Sequence, residues 1–301
     1  MLILLCSCFS VETLDTALQD TSSSQEEQDS FVESEESIED TGEWPESPWV
    51  TIAAGNWHTC AVSQQKETVC WGRDLEGQST PPTGIPFRSL TGGWFFTCGL
   101  AFDSRVHCWG DISFDILSGR YSHIAAGKDF LCGISRVDHS IECTNLDVVI
   151  PSGSFVQVDA GFAHVCAITD TQEVLCFGDN GEGQCDVPAG IFDKVQAGFY
   201  HSCAKNGDGI SCWGGAQDGA TSIPLVQENG IWTGNFHNCT RNDNQQAVCW
   251  GGDSLNLSGG IVGAKFTDLA LGGFHSCGIT TEDTIFCSGE NTQGQTDFPN
   301  D

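Results

Sequence analysis

From Trp49 onward, apolar and polar positions alternate over runs of five or six residues and then give way to Gly, Asn, Asp and Ser. Segments such as WVTIAA (49–54), FVQVDA (155–160) and FDKVQA (192–197) read as strands, each followed by an HTCAV-like and a VCWG-like segment across polar turn residues. No stretch keeps an apolar period of 3.6 residues over a useful length, so helices are not expected. A weaker fourth element is expected in tails such as GQCDVP (183–188).

The pattern recurs. A glycine followed five positions later by cysteine appears as GNWHTC, GWFFTC, GKDFLC, GFAHVC, GFYHSC, GNFHNC and GGFHSC, starting at Gly55, Gly93, Gly127, Gly161, Gly198, Gly234 and Gly272. The intervals run from 34 to 38 residues. Units of this size, each a small antiparallel sheet, bury both faces only by stacking around an axis or along a line. Seven is an ordinary blade number, and no polar capping repeat of the kind an open solenoid needs is present. The expected fold is therefore all-β, a seven-bladed propeller over 49–301 with repeats at about 49–86, 87–120, 121–154, 155–190, 191–230, 231–265 and 266–301. Closure is expected to use a strand from around residues 43–53 beside the last repeat.

Charge and cysteine content narrow the setting. The chain carries 41 acidic and 11 basic residues, a net −30, which argues against nucleic acid or an anionic bilayer as partner. Thirteen of the acidic residues fall within 9–48, which holds no Lys or Arg and reads as a solvated acidic linker. Removing them leaves 28 acidic against 11 basic residues, a net −17 for the propeller itself. No run of 18 apolar residues occurs, the length a membrane-spanning helix needs. Residues 1–8, MLILLCSC, form a short apolar run without a basic start and read as a truncated export signal. Leu5-Cys6-Ser7-Cys8 resembles a bacterial lipobox, which implies lipidation at Cys8. The other reading is that the true start lies upstream and these residues end an ordinary signal core.

Seventeen cysteines point to an oxidising compartment, so an extracellular, periplasmic or cell-surface location is expected. Fourteen form seven recurring pairs: Cys60 and Cys70, Cys98 and Cys108, Cys132 and Cys143, Cys166 and Cys176, Cys203 and Cys212, Cys239 and Cys249, Cys277 and Cys287. Their separations of 9, 10 or 11 fit two residues facing each other across a hairpin whose turn varies from two to four residues, with Gly207-Asp208 the shortest. Disulfides, buried free thiols and zinc all remain open; the joint recurrence of both partners favours disulfides, and a pair alone offers zinc only two ligands. Cys185 is left over.

The arrangement of an apolar strand, Ala-Gly, two variable residues, His-Ser/Thr-Cys-Ala, a turn, Val-x-Cys-Trp-Gly and then Gly-Gln resembles the regulator of chromosome condensation repeat in its cysteine-bearing bacterial secreted form. It is fullest in residues 52–82 and 158–188. Unit three departs with Cys143-Thr144-Asn145, unit seven with Cys287-Ser288-Gly289, and units two, three and six lack the Gly-Gln tail. The resemblance implies a seven-bladed propeller without fixing a function, since that family includes nucleotide-exchange factors, a β-lactamase inhibitor and many surface proteins. The exchange factors use an extra β-insertion, for which the present spacings leave no room.

Several residue sets compete as sites. Trp71, Trp109, Trp213 and Trp250 are expected in the core between blades. His58, His164, His201, His237 and His275 share one repeat position, but Phe96 and Phe130 take it in units two and three, so a hydrogen bond to a neighbouring loop is expected rather than a metal ring. Asp179, Asn180, Glu182 and Asp186 faintly resemble a calcium loop, yet the spacing fits a turn better. No metal site and no cofactor are expected, and no nucleophile motif is present. The aromatics just after the repeat glycine, Trp57, Trp94, Phe95, Phe162, Phe199, Tyr200, Phe236 and Phe274, fall in the loop between first and second strands and are expected to ring one face as binding residues. In the resembling β-lactamase inhibitor such a face engages its partner. The expected function is an exported, monomeric, non-enzymatic scaffold that binds another protein, with the membrane entering only through a lipid anchor. The alternative is a polysaccharide-active or other propeller enzyme using channel carboxylates, although no paired carboxylates at non-repeating positions stand out.

Overall fold

The computed structural model describes residues 48–216, 219–225, 229–252, 261 and 263–299. The apolar start with Cys6 and Cys8, and the acidic segment up to residue 47, lie outside the described residues.

Seven three-stranded antiparallel sheets follow one another along the chain, and no α-helix occurs among the described residues. Blade one holds β1 (Trp49–Ala54), β2 (His58–Ser63) and β3 (Thr68–Gly72); blade two β4 (Phe87–Gly92), β5 (Phe96–Ala101) and β6 (Val106–Gly110); blade three β7 (Tyr121–Ala126), β8 (Leu131–Ser135) and β9 (Ile141–Thr144). Blade four holds β10 (Phe155–Ala160), β11 (His164–Thr169) and β12 (Val174–Gly178); blade five β13 (Lys194–Ala197), β14 (His201–Asn206) and β15 (Gly209–Gly214). Blade six holds β16 (Trp232–Thr233), β17 (His237–Arg241) and β18 (Ala247–Gly251), and blade seven β19 (Phe266–Leu271), β20 (His275–Thr280) and β21 (Ile285–Gly289). The first strands contact one another in order, and β19 returns to β1, which closes a seven-bladed propeller around a central channel.

The middle strands are buried almost throughout, because both faces of a blade are covered by its neighbours. Each cysteine pair sits at directly opposed positions of the second and third strands, with Cα atoms 4.0 to 4.1 Å apart, and all seven pairs are disulfides. Cys203 and Cys212 face each other across the shortest hairpin, in which Asn206 pairs with Gly209 around Gly207-Asp208.

Side chains clasp one blade to the next. His164 Nε2 donates to Ser202 Oγ at 2.9 Å, Ser202 Oγ donates to the Gln184 carbonyl at 2.9 Å, and Trp213 Nε1 donates to that same carbonyl at 2.9 Å. The arrangement repeats with His58, Thr97, Trp109 and the Gln78 carbonyl, and with His201, Asn238, Trp250 and the Ala220 carbonyl. It also joins last blade to first, through His275, Thr59, Trp71 and the Gln295 carbonyl. The four tryptophans are 5 to 9% exposed, as expected of residues packed between blades. Where the following blade offers Leu131 or Val165 instead of a hydroxyl, the histidine position holds Phe96 or Phe130, buried against those side chains.

Two expectations need correction. Among the described residues the tails form turns rather than a fourth strand: residues 179–186 close on Asn180 and Gly183 carbonyls, and every sheet has three strands. Of the expected closing strand, 43–47 lie outside the described residues, and the described part is β1, which pairs with β2 in its own sheet and meets the last blade by packing against β19. The seam is also held by the His275 clasp and by Phe298, whose ring lies 5.4 Å from Trp49 and 5.1 Å from Trp71.

Candidate functional site

The loops between first and second strands are joined around the axis by a ring of backbone hydrogen bonds. Asn56 N–H donates to the Gly93 carbonyl, Trp94 to Lys128, Lys128 to Phe162, Phe162 to Gly198, Phe199 to Asn235, Asn235 to Gly272 and Gly273 back to Gly55, at 3.0 to 3.3 Å. The repeat glycine permits this approach. A Cβ on Gly234 would stand 2.8 Å from the Gly272 carbonyl oxygen, and one on Gly272 would stand 2.5 Å from that of Gly55. The same glycines also leave room for the ring of the histidine three residues on.

This ring sets the aromatic residues side by side. Trp57, Trp94, Phe95, Phe162, Phe199, Tyr200, Phe236 and Phe274 are all half-buried. They form one closed network: Trp57 to Trp94 at 6.3 Å between centroids, Trp94 to Phe162 at 5.1 Å, Phe162 to Phe199 at 4.0 Å, Phe199 to Phe236 at 5.2 Å, Phe236 to Phe274 at 5.7 Å and Phe274 back to Trp57 at 5.9 Å. Phe95 stacks on Trp57 at 5.6 Å, and Tyr200 meets Phe199 edge-on at 4.3 Å. Such offset and edge-on pairs stiffen one another while leaving part of each ring accessible. Blade three has no aromatic here. Its place is taken by Lys128, whose Nζ lies 5.3 Å from the Trp94 centroid and 5.1 Å from that of Phe162.

The residue after each third strand lies at the same end. Arg73 N–H donates to the Trp57 carbonyl at 2.9 Å, Asp111 to Phe95 at 2.9 Å, Asp179 to Ala163 at 2.8 Å, and Glu290 to Phe274 at 2.8 Å. Arg73 covers the Trp57 and Phe95 rings and is paired with Glu76 at 2.7 Å. Asp111, Asp129, Asp179 and Glu182 are exposed around this aromatic crown.

Beneath the crown runs the channel, a cavity of about 270 Å³ lined by first strands. One wall is apolar, with Ile52, Leu90 and Ala126; the other carries Asp159, Lys194 and Asp268. Sequence reasoning missed these carboxylates. The available signal was a charge at positions where other first strands hold Ala53 and Ala125, or Thr51 and Ser89. Burial pushes the Asp159 carboxyl up to about 6, against the opposing pull of the Ala197 and Ala160 N–H groups. Burial likewise raises Asp268 and lowers the Lys194 ammonium, whose Nζ lies 4.6 Å from the Trp232 centroid. Asp159 Oδ2 accepts from Ala197 N–H at 2.8 Å and from Gln196 Nε2 at 3.2 Å, so it ties blade four to blade five. Asp268 accepts from Trp232 Nε1 at 3.1 Å and ties blade seven to blade six. This is the bonding of blade staples.

The other sets sort by contact. Four of the five histidines make the blade clasps described above, and His237 makes a fifth, its Nε2 lying 2.6 Å from Ser276 Oγ of blade seven. Asp179, Asn180 and Asp186 bond one another's neighbourhood: Asn180 Nδ2 donates to Asp186 Oδ1 at 2.9 Å, and Gln184 Nε2 to Asp179 Oδ2 at 3.0 Å. Among the described residues no cluster of three or more metal-ligating side chains occurs. Cys185 is a half-buried free thiol pushed up to about 11 by burial and by Asp179 and Asp186.

The Regulator of chromosome condensation (RCC1) repeat profile matches residues 49–78, 155–184 and 266–295, which are blades one, four and seven. The serine/threonine-protein kinase-like protein CCR2 of Arabidopsis thaliana is 31% identical over 171 residues, 42% of this chain and 22% of that protein. The chain spans 13 to 22% of the length of the curated relatives it matches. Among solved structures, the CRINKLY WD40 ectodomain of the Arabidopsis thaliana receptor kinase ACR4 superposes with a TM-score of 0.69 at 25% identity, covering 82% of this chain and 97% of that one. The ectodomain of the Physcomitrella patens receptor kinase CR4 gives 0.70 at 23% identity, covering 79% and 72%, and shares the fold.

Proposed function

We propose that this chain, a propeller carrying Regulator of chromosome condensation repeats, is a non-enzymatic binding module that captures another protein on its aromatic crown, outside the cell or at its surface. The observation that carries the reading is the closed aromatic network. Eight half-buried rings from six blades meet around one axis, on loops held by a continuous backbone hydrogen-bond ring. Large aromatics on a rigid base supply much contact area at little cost in conformational entropy, which is what interface hot spots require.

Seven disulfides and the ectodomain similarity support the extracellular setting. In this reading the acidic segment 9–48 is a linker to the propeller at 49–301, and Cys8 is its point of lipid anchoring. The channel carboxylates do not compete as an acid/base pair, since each accepts hydrogen bonds that tie blades together. The test is chemical crosslinking on intact cells with wild type and with W57A/W94A/Y200A. The wild type is expected to yield a discrete crosslinked partner and the variant none, with disulfides and thermal unfolding retained. Equal capture by a folded triple variant would overturn the reading.

A further inference from the structure

The crown is not electrostatically uniform, and its asymmetry points to the chemistry of the partner. On blades one to four the rings already hold cations from the chain itself, Arg73 over Trp57 and Phe95, and Lys128 over Trp94 and Phe162. All 11 basic residues of the chain lie among the described ones, and none stands over Phe199, Tyr200, Phe236 or Phe274. Carboxylates flank that vacant half. Glu182 is exposed beside Tyr200: the Cβ atoms of both lie within 3.5 Å of where a side chain on Gly215 would begin. Glu290 donates its N–H to the Phe274 carbonyl, which brings its backbone to the same end as that ring, and its carboxylate accepts from Thr292 Oγ1 at 2.7 Å. Neither carboxylate has an ion pair among the described residues. The propeller as a whole carries a net −17, a field that attracts a basic partner and repels an acidic one.

We propose that the half of the crown on blades five to seven seats arginine or lysine side chains of a basic partner protein, with Tyr200 and Phe274 receiving the cations' faces and Glu182 and Glu290 their charge. This rests on the crown being the docking face. An aromatic face and a carboxylate act together on a guanidinium, which stacks and hydrogen-bonds at once. Arg73, which lies over Trp57 and Phe95 while paired with Glu76, is the chain's own example of that preference.

The test uses defined peptides and the disulfide-bonded chain. Acetylated, amidated heptapeptides alternating Gly with Arg, citrulline or Glu, and a neutral Phe-rich peptide, are titrated by NMR at low ionic strength. The Arg peptide is expected to bind, citrulline and Glu peptides to bind at least about tenfold more weakly, and E182Q/E290Q and Y200A/F274A each to weaken Arg binding by about tenfold. E173Q/E282Q, which removes the same charge from exposed hairpin turns at the opposite ends of their strands, should change little. Absence of Arg-peptide binding, or equal loss in both Glu pairs, overturns the proposal. If the neutral peptide then binds and is lost in W57A/W94A/Y200A, the crown still docks a partner and only the charge preference fails. If no peptide depends on the crown, the docking reading falls with it.

Discussion

Acid should open this propeller well before its exposed carboxylates titrate, because the clasps between blades require neutral imidazole. In each clasp Nε2 lies within hydrogen-bond distance of a hydroxyl or amide oxygen of the next blade, while Nδ1 of His58, His164, His237 and His275 is buried without a hydrogen-bond partner. A second proton would bury a positive charge between the blades. Burial accordingly lowers His58 and His164 to about 4, and His237 and His275 to about 3, from 6.5. The unfolded chain therefore takes up protons below pH 6.5 that the folded chain refuses, and stability falls with pH until each folded-state value is reached. At pH 5 each histidine contributes a loss of about 2 kcal/mol, or about 8 kcal/mol for the four. Asp159 and Asp268, both raised by burial, act oppositely. At about 6, Asp159 gains its proton first in the folded chain, which returns about 1 kcal/mol by pH 5, and Asp268 adds to that return. The net loss, on the order of 5 kcal/mol, is comparable to the whole stability of an ordinary domain. Urea unfolding at pH 7 and pH 5 measures it. The H164F/S202V variant, which copies the Phe130 and Val165 pair, should remove about a quarter of the histidine loss. A denaturation midpoint unchanged between pH 7 and 5, or an unaltered pH slope in the variant, would refute the reasoning.

Three further outcomes follow from the packing. Alkylation of the non-reduced chain should leave 14 cysteines protected and Cys185 slow to react at neutral pH, read by mass spectrometry with and without reductant. Phe96→His alone should destabilise blade two against Leu131 by about 1–3 kcal/mol, with Leu131→Thr restoring much of that loss in the double variant, measured by chemical denaturation. Trp213→Phe keeps the ring but removes the bond to the Gln184 carbonyl, and should cost about 1 kcal/mol by the same assay.

Much of the fold was legible because it is stamped in register. The Gly-to-Cys interval, the hairpin separations of 9 to 11 and the alternating strands are local, and locally readable properties survive tertiary context in a repeat. What escaped was interaction between repeats. Phe96 and Phe130 read as exceptions to a histidine pattern, yet they are matched to Leu131 and Val165 one unit further on. The Gly-Gln tail and the Cys-Trp-Gly triplet look like independent motifs of one unit, whereas Gln78 receives Trp109 from the next blade. The channel residues Asp159, Lys194 and Asp268 come from three different blades, so nothing in their spacing announces that they share one wall. The aromatic crown was placed correctly on the loops, but its continuity and the occupation of one half by Lys128 and Arg73 depend on ring closure.

The central claim is that the crown is where this propeller meets its partner. Site-specific incorporation of a photo-crosslinking residue at Phe236 or Phe274, compared with the exposed control positions Val137, between β8 and β9, and Val156, near the start of β10, tests it most directly in intact cells. The account predicts a discrete covalent product from the crown positions and none from the controls. Products arising from Val137 or Val156, with the crown positions silent, would contradict it.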